Sequence, residues 1–336
     1  MHPSSKIASS PSSPRSAIRQ RAPSLAATAT CVAALTGLAG ANLGCTASTH
    51  AAVTSTLGTS SSSGAMEAVI DQPGPISLEV VNSTDWAVPR SGVINLDSAG
   101  AKAAGLKDGD EPIAVFAYVL RHPTRGVYLV DSGVTERLVH DPKGAGVGML
   151  VRWQLHPEKM KVHETADHLV ARLGAPLAGV LLTHLHLDHV SGMPAIPRDT
   201  PIYAGPGETT NRSFWNWFTQ STIDAFLAGA APVQTWQYAP DPDGRTAGVI
   251  DVFGDGSLWT ILAPGHTPGS TAYVVRTPTG PVLLTGDASH TRWGWAHDIE
   301  PGSFSGDRPR SVASLASLRA LAARHPAMTV RLGHQQ

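Results

Sequence analysis

From about Gln72 to the C-terminus, short apolar runs alternate with turns that contain glycine or proline. Runs of this length between such turns predict β-strands, and the turns HPTRG and TPTG predict hairpins between neighbouring strands. The predicted strands cover residues 76–81, 113–122, 126–133, 178–184, 200–205, 257–265, 271–277 and 281–287.

Three segments between these runs have helical spacing. Residues 163–174 place Ala166, Leu169, Val170 and Leu173 on one face and end at a glycine, and residues 310–325 are rich in alanine and leucine. Residues 211–229 are rich in aromatic side chains, for which core packing is favoured over the lining of an acyl pocket. Strands with interleaved helices predict an α/β or α+β sandwich with the helices outside the sheets.

The N-terminal segment has a different composition from the rest. The first acidic residue is Glu67, and basic residues in a Ser/Pro-rich lead precede an uncharged run from Ala22 to Cys45. This order resembles a secretory signal, while a transit peptide or disorder are the alternatives. A spanning helix is disfavoured because alanine, glycine and threonine make the run only weakly apolar.

The two cysteines, Cys31 and Cys45, both lie in this leader. The sequence NLGC at 42–45 resembles a bacterial lipoprotein signal, although Asn42 stands where leucine is usual. We therefore predict a signal peptide at residues 1–45, a flexible Ser/Thr-rich linker at 46–71 and a folded domain at 72–336. The predicted location is exported, as a periplasmic, membrane-anchored lipoprotein lipidated at Cys45 or as a secreted protein. Cytoplasmic or organellar locations are the alternatives.

Charge narrows the class of partner. Residues 1–45 hold 4 of the 25 basic residues and no acidic residue, so residues 46–336 carry 21 basic against 26 acidic residues, a net charge of −5. No basic run appears, which argues against nucleic acid as a partner and favours a small-molecule substrate. The predicted domain has no cysteine, which excludes a disulfide and a thiolate metal ligand there.

The highest density of metal-ligand side chains lies in LLTHLHLDHVSG, residues 181–192. His184 and His186 share parity in an extended segment and therefore point to the same side. Imidazole is the commonest ligand of zinc-like metals. Asp188 and His189 follow where the strand ends, and their different directions suit a second metal beside the first.

Three later segments also place a metal-ligand residue after an apolar run. ILAPGH ends at His266, PVLLTGD ends at Asp287, and TVRLGH ends at His334. Each signal is weak alone, but with the first cluster they supply five histidines and two aspartates. The sequence therefore predicts a metal site assembled from several strand ends.

These motifs, in this order, resemble the metallo-β-lactamase fold superfamily. The matching stretches are VYLVDSG with Asp131, THLHLDH, PGHTPGS, TGDAS and the terminal GH. The resemblance implies a four-layer αβ/βα sandwich with the site at one edge of the sheets. It also implies that one metal is held by His184, His186 and His266, a second by Asp188, His189 and His334, with Asp287 between them and Asp131 orienting a ligand.

Two differences from motifs of related families exclude some of the activities that the resemblance implies. The second metal of true β-lactamases commonly uses a cysteine, which this domain lacks, and flavo-diiron relatives commonly have glutamate where His186 stands. The remaining set resembles lactonases, glyoxalase II and phosphodiesterases. It implies two divalent metal ions, zinc first with iron, manganese or cobalt as alternatives, and a metal-bridging hydroxide that attacks the carbonyl of a lactone, ester or thioester.

Two residues are candidates for catalytic roles. Asp188 can carry a proton to the leaving group. His290, in TGDASH, stands where acyl-homoserine lactonases usually have a tyrosine that holds the lactone carbonyl. The alternative is that His290 only supports a metal ligand or lies in a surface loop. The sequence thus predicts an acyl-homoserine lactonase-like hydrolase, with a phosphodiesterase or nuclease, or a non-hydrolytic iron-binding relative, as alternatives.

Overall fold

A computed structural model describes residues 44–336 of the chain. The predicted signal peptide, except for Gly44 and Cys45, lies outside the described residues. The strands are β1 (Cys45–Thr46), β2 (Ala52–Thr54), β3 (Thr59–Ser61), β4 (Ser77–Pro89), β5 (Asp110–His122), β6 (Gly126–Val130), β7 (Lys161–Val162), β8 (Leu177–Leu181), β9 (Ile202–Ala204), β10 (Arg212–Ser213), β11 (Val233–Thr235), β12 (Val249–Asp251), β13 (Leu258–Leu262), β14 (Thr271–Thr277), β15 (Gly280–Leu284) and β16 (Thr329–Arg331). The α-helices are α1 (Ser63–Ile70), α2 (Arg90–Val93), α3 (Ala99–Ala103), α4 (Glu136–His140), α5 (Met149–Leu155), α6 (Ala166–Arg172), α7 (Leu187–Val190), α8 (Asn216–Leu227), α9 (Arg292–His297) and α10 (Arg308–Arg324).

Most strands belong to two mixed sheets. The first has eight strands in the order β2-β11-β9-β8-β6-β5-β4-β7, and the second has six in the order β16-β15-β14-β13-β12-β3. Within the first sheet β6 runs parallel to β8, and within the second β15 runs parallel to β16. Parallel neighbours end at the same edge of a sheet, so the residues that follow them lie close together.

The two sheets pack face to face, and strand β5 is apolar from Ile113 to Leu120 because both of its faces are buried there. Val115, Ala117 and Val119 face the helices α4 to α8, while Phe116 and Tyr118 face the second sheet. Side chains alternate between the faces of a strand, so a strand that is buried on both faces is continuously apolar. The core therefore has an inter-sheet layer and an outer layer beneath helices.

The outer face of the second sheet is covered by α1 and α10. Met66 of α1 and Leu318 and Leu321 of α10 are buried against Val274 and Leu283 of the sheet. Helices thus lie on the outer face of each sheet, and the predicted four-layer αβ/βα sandwich is confirmed.

The predicted flexible linker at residues 46–71 is wrong, because this segment is part of the fold. Strand β2 pairs with β11, strand β3 pairs with β12, and Met66 and Ile70 of α1 are fully buried. Strand pairing uses backbone groups and does not require apolar side chains, so a Ser/Thr-rich composition conceals it. Ser62 caps α1 by accepting a hydrogen bond from the Ala65 N–H.

The aromatic segment 211–229 is only partly core. Phe226 is buried and Phe218 packs against the core, as predicted. The prediction is wrong for Phe214, Trp215 and Trp217, which are each more than half exposed.

An ion cluster ties α1 to α10. Arg324 Nη2 lies 2.7 Å from Glu67 Oε1, and Arg245 Nη1 and His325 Nε2 lie 3.0 and 3.3 Å from Glu67 Oε2. Burial alone would raise the pKa of Glu67, but hydrogen bonds from Arg324, Arg245 and His325 lower it from 4.5 to about 2. The carboxylate is therefore more stable in the folded chain than in the unfolded chain.

We expect Glu67→Gln to lower the free energy of unfolding at pH 7 by about 1–2 kcal/mol. Because the folded pKa lies below the unfolded one, this stabilisation is present above about pH 4.5 and is lost as the pH falls towards 2. Urea unfolding of both proteins at pH 7 and pH 3.5 measures the difference. Equal unfolding free energies at pH 7 would contradict the stabilising role.

Among residues 44–336, no helix is long and apolar enough to cross a membrane.

Candidate metal centre

The predicted ligands converge at one edge of the two sheets because each follows a strand. His184 and His186 follow β8, His189 lies on the short helix α7 behind them, and His266 follows β13. Asp287 follows β15, in a single turn of 3-10 helix, and His334 follows β16. The sandwich therefore assembles in space what the sequence separates by up to 150 positions.

His184, His186 and His266 form one compact set. His266 Nε2 lies 3.2 Å from His184 Nε2 and 2.8 Å from His186 Nδ1. Nitrogens bound to one zinc ion at about 2.0–2.1 Å lie about 3.3 Å apart at tetrahedral angles. The spacing is therefore close to that of three imidazoles around one metal ion.

Asp188, His189 and His334 form a second set. Asp188 Oδ2 lies 3.6 Å from His189 Nε2 and 3.3 Å from His334 Nε2. Asp287 Oδ2 lies between the sets, 3.3 Å from His266 Nε2, 3.4 Å from His189 Nε2 and 3.3 Å from His334 Nε2. The side chains that the resemblance assigns to two ligand sets therefore lie together in the fold, with Asp287 between the sets.

Burial and mutual repulsion keep the first set neutral. Burial, together with the neighbouring imidazoles, holds the pKa of His184 and His266 well below the usual value and lowers that of His186 to about 4. Neutral imidazole is the form that binds metal. These three side chains thus have free lone pairs at neutral pH.

The second set has the opposite electrostatics, set by carboxylates. Burial opposes charge on His189, yet the carboxylates of Asp287 and Asp131 raise its pKa well above the usual value. Burial likewise opposes charge on His334, and Asp287 raises its pKa. Although burial would raise the pKa of Asp287, the surrounding histidines hold it well below its usual range. The site is therefore built to hold positive charge beside Asp287, as protons or as metal ions.

Two buried polar atoms without hydrogen-bond partners in the described part of the chain also favour a site for a pair of metal ions. His189 Nε2 and Asp287 Oδ1 are buried and have no hydrogen-bond partner among the described residues. A buried polar atom without a partner is costly, and a ligand that satisfies it explains its position. A hydrogen bond can join one pair of nitrogens in the first set, whereas a cation satisfies all three.

Asp131 orients His189, as the resemblance implied. Asp131 Oδ2 lies 2.8 Å from His189 Nδ1, which leaves Nε2 facing the cluster. Thr183 supports the carboxylate by donating its N–H to Asp131 Oδ1 at 2.8 Å. Asp131 has a positive φ of 55°, a conformation that is uncommon for a residue with a side chain. His334 is oriented in a similar way, since its Nδ1 lies 2.9 Å from the Ala114 carbonyl oxygen.

Glu208 is a residue of the site that no predicted motif included, and it is 2% exposed. Its carboxylate accepts the Leu185 N–H at 2.8 Å and the Gly269 N–H at 2.9 Å, and it also accepts from the Thr267 hydroxyl. It thereby ties the loop between His184 and His186 to the loop that follows His266. Glu208 comes shortly after strand β9, so the pattern of a strand followed by an acid could have found it.

We expect Glu208→Gln to weaken metal binding by roughly 10–100-fold. A glutamine amide would present a donor towards one of the backbone N–H groups that the carboxylate now accepts, so the two loops would move apart. Competition with a chromophoric chelator measures the affinity, and Glu158→Gln, at an exposed acid, is the matched control. Wild-type affinity in the Glu208 variant would contradict this positioning role.

His290 lies inside the cluster rather than at its rim. Its Nε2 is 3.0 Å from Asp287 Oδ2, its ring stacks on His334, and the side chain is buried. His266, Asp287 and His290 also form a group that could hold an ion. The surface-loop alternative for His290 is therefore wrong.

A small apolar pocket lies beside Asp188. It is lined by Leu155 of α5, Phe226 of α8, Met160 and Leu187. Helices α5 and α8, two of the helices that cover the first sheet, thus also border the second ligand set.

Comparison with known proteins agrees with this geometry. The sequence profile of the Metallo-beta-lactamase superfamily matches residues 110–334. An "N-acyl homoserine lactonase AttM" of Agrobacterium fabrum is 32% identical over 257 residues, which cover 73% of this chain and 90% of the relative. The protein of the same name from Azorhizobium caulinodans is 32% identical over 237 residues, 67% of this chain and 83% of the relative.

Solved structures share the fold. The crystal structure of a quorum-quenching N-acyl homoserine lactone lactonase superposes with a TM-score of 0.55 at 19% identity, over 79% of this chain and 94% of that one. At this identity the likeness concerns the architecture.

Proposed function

The chain belongs to the metallo-beta-lactamase superfamily, and from this premise we propose that it is a metal-dependent hydrolase that opens lactone rings. The proposal rests on the position of Asp287 Oδ2, which faces both ligand sets. The lactonases of 32% identity support N-acyl homoserine lactones as the substrate class. Esters and thioesters share the carbonyl chemistry and are the next substrates to test.

We infer that one divalent ion would be held by His184, His186 and His266 and a second by Asp188, His189 and His334, with Asp287 facing both sets. Imidazole and carboxylate donors suit zinc, and iron, manganese and cobalt accept the same donors. Two such ions, when bound, would lower the pKa of a nearby water molecule towards neutrality and would polarise a substrate carbonyl.

Asp188 is the residue that we assign to proton transfer. Ring opening requires a proton on the leaving alkoxide oxygen, and the water that adds to the carbonyl releases one. The Asp188 side chain is 20% exposed, whereas that of Asp287 is 3% exposed, so Asp188 has access to a bound substrate. It accepts the proton from the water and delivers it to the ring oxygen.

His290 would act differently from the tyrosine that acyl-homoserine lactonases usually have at this position. With Nε2 beside Asp287, the ring atom left for a substrate is Nδ1, which is buried without a partner among the described residues. Nδ1 donates to a carbonyl oxygen only when it carries the proton. We propose that His290 acts first by holding Asp287 in place.

A panel of lactone, thioester, phosphodiester and β-lactam substrates tests the proposal on metal-loaded protein. We expect turnover of N-acyl homoserine lactones with release of one proton per ring opened. Turnover of phosphodiesters alone would favour the nuclease alternative, although a net charge of −5 in residues 46–336 disfavours polyanionic substrates. No turnover of any class with both metals bound would reject hydrolysis.

Export of the chain and lipidation of Cys45 remain predictions from the leader. Intact mass measurement of the protein from cell membranes tests both, because a lipidated chain would begin at Cys45 and carry the mass of acyl groups.

A further inference from the structure

Two neighbouring helical segments expose large apolar side chains to solvent. The docking face, as we call it, consists of Met149, Leu150 and Trp153 on α5 and Phe214, Trp215 and Trp217 at the start of α8. Trp153 and Trp215 are 69% and 68% exposed. We propose that this face docks onto an anionic lipid surface.

The two segments lie side by side. The N–H of Gly148, which precedes α5, donates to the Thr222 hydroxyl of α8, and Gly146 packs closely against Ala225. Leu155 of α5 is buried in the same core cluster as Phe226 of α8. Both helices therefore have a buried side on the first sheet and an apolar exposed side.

The aromatic part of the face is a cluster rather than a scatter of single residues. The ring centroid of Phe214 lies 5.7 Å from that of Trp215, 6.0 Å from that of Trp217 and 5.5 Å from that of Phe218. Single exposed apolar residues are ordinary on a protein surface, but grouped ones mark interaction sites. Tryptophan is the residue type that is enriched at membrane interfaces.

Local charge favours anionic lipid as the occupant. Residues 141–159 and 212–227, which carry the docking face, hold four basic residues against three acidic ones, a local net charge of +1; these are Lys143, Arg152, Lys159 and Arg212 against Asp141, Glu158 and Asp224. Residues 46–336 as a whole have a net charge of −5. Basic side chains around exposed tryptophan and leucine are the composition of surfaces that lie on anionic membranes.

The N-terminal chain also arrives at this face. Cys45 pairs with Ser213, the residue before Phe214, and the Cys45 carbonyl accepts a hydrogen bond from the Asn216 side chain. The uncharged run from Ala22 to Cys45 precedes this point. The uncharged leader, or an acyl group on Cys45, would therefore meet the membrane one residue away from the aromatic cluster. This position favours a lipid surface over a second copy of the chain.

The inference does not depend on the reaction proposed above, since no residue of the docking face is a predicted metal ligand. Vesicles of phosphatidylglycerol and phosphatidylethanolamine, with phosphatidylcholine vesicles as the neutral comparison, provide the test by flotation. The full chain carries Cys45→Ser throughout, so that no attached lipid contributes. The test variant is Trp215→Ser with Trp217→Ser, and the control is Val312→Ser, at an exposed apolar position on α10.

We expect the parent chain and the control to bind the anionic vesicles, and the double variant to bind roughly tenfold or more weakly. Quenching of tryptophan fluorescence by bromine-labelled lipid chains should fall in the same variant, while circular dichroism and metal content stay unchanged. Equal binding of the parent and the double variant, or no binding of the parent, would overturn the proposal. A parent dimer that the double variant dissociates, without vesicle binding, would also overturn it and assign the face to a second copy.

Discussion

Replacing Asp287 with alanine is expected to lower lactone hydrolysis by roughly 10³-fold or more, because two-metal hydrolysis requires both ions in place. Asp287 Oδ2 lies 3.3–3.6 Å from a nitrogen of each of His184, His189, His266 and His334. Removing this carboxylate leaves Asp188 as the one carboxylate of the two ligand sets to offset two cations. The number of metal ions per chain should fall from two to one or fewer, as measured by elemental analysis after gel filtration.

The control for this variant is Asp199→Ala, at an exposed aspartate that belongs to neither ligand set. It should keep both metals and full activity. Activity of Asp287→Ala equal to that of the wild type would refute the shared-ligand role of Asp287 and, with it, the two-ion site.

Replacing Asp188 with asparagine is expected to slow ring opening of oxygen lactones by roughly 10²–10⁴-fold, the range of a lost general acid–base group. Asparagine keeps the shape and one oxygen ligand but cannot carry the proton. A thiolactone of the same acyl chain loses a thiolate, which leaves without protonation because its pKa is about 8–9. The thiolactone should therefore be slowed much less than the oxygen lactone.

The ratio of the two rates separates the roles of Asp188. If Asp188 were a metal ligand alone, both substrates would slow equally and in proportion to the metal lost. An unchanged ratio at full metal occupancy would contradict proton delivery by Asp188.

The sequence predicted best the residues of the site that lie at strand ends. An apolar strand precedes each of His184, His266, Asp287 and His334, and these strands end at one edge of the sheets. A ligand-type residue directly after an apolar run therefore indicated which side chains lie together. Continuous apolar runs such as that around Phe116 also report burial on both faces. Local pattern and global fold agree in these elements, which is why they were predictable.

Other features depend on partners that are distant in the sequence and leave little local signal. Strands β2 and β3 are paired through backbone groups with β11 and β12, so their Ser/Thr composition suggested a linker. Glu208 acts through two loops that only the fold brings together. The exposure of Trp215 and Trp217 was not predictable because aromatic side chains usually serve cores.

Metal titration of the metal-free protein tests whether its seven predicted ligand side chains form a two-ion site. Addition of Zn²⁺ with calorimetric detection, and of Co²⁺ with its visible absorption, should each saturate at two equivalents per chain, with lactone hydrolysis recovered as the second equivalent binds. Saturation at one equivalent, or full hydrolysis without added metal, would contradict a two-ion site.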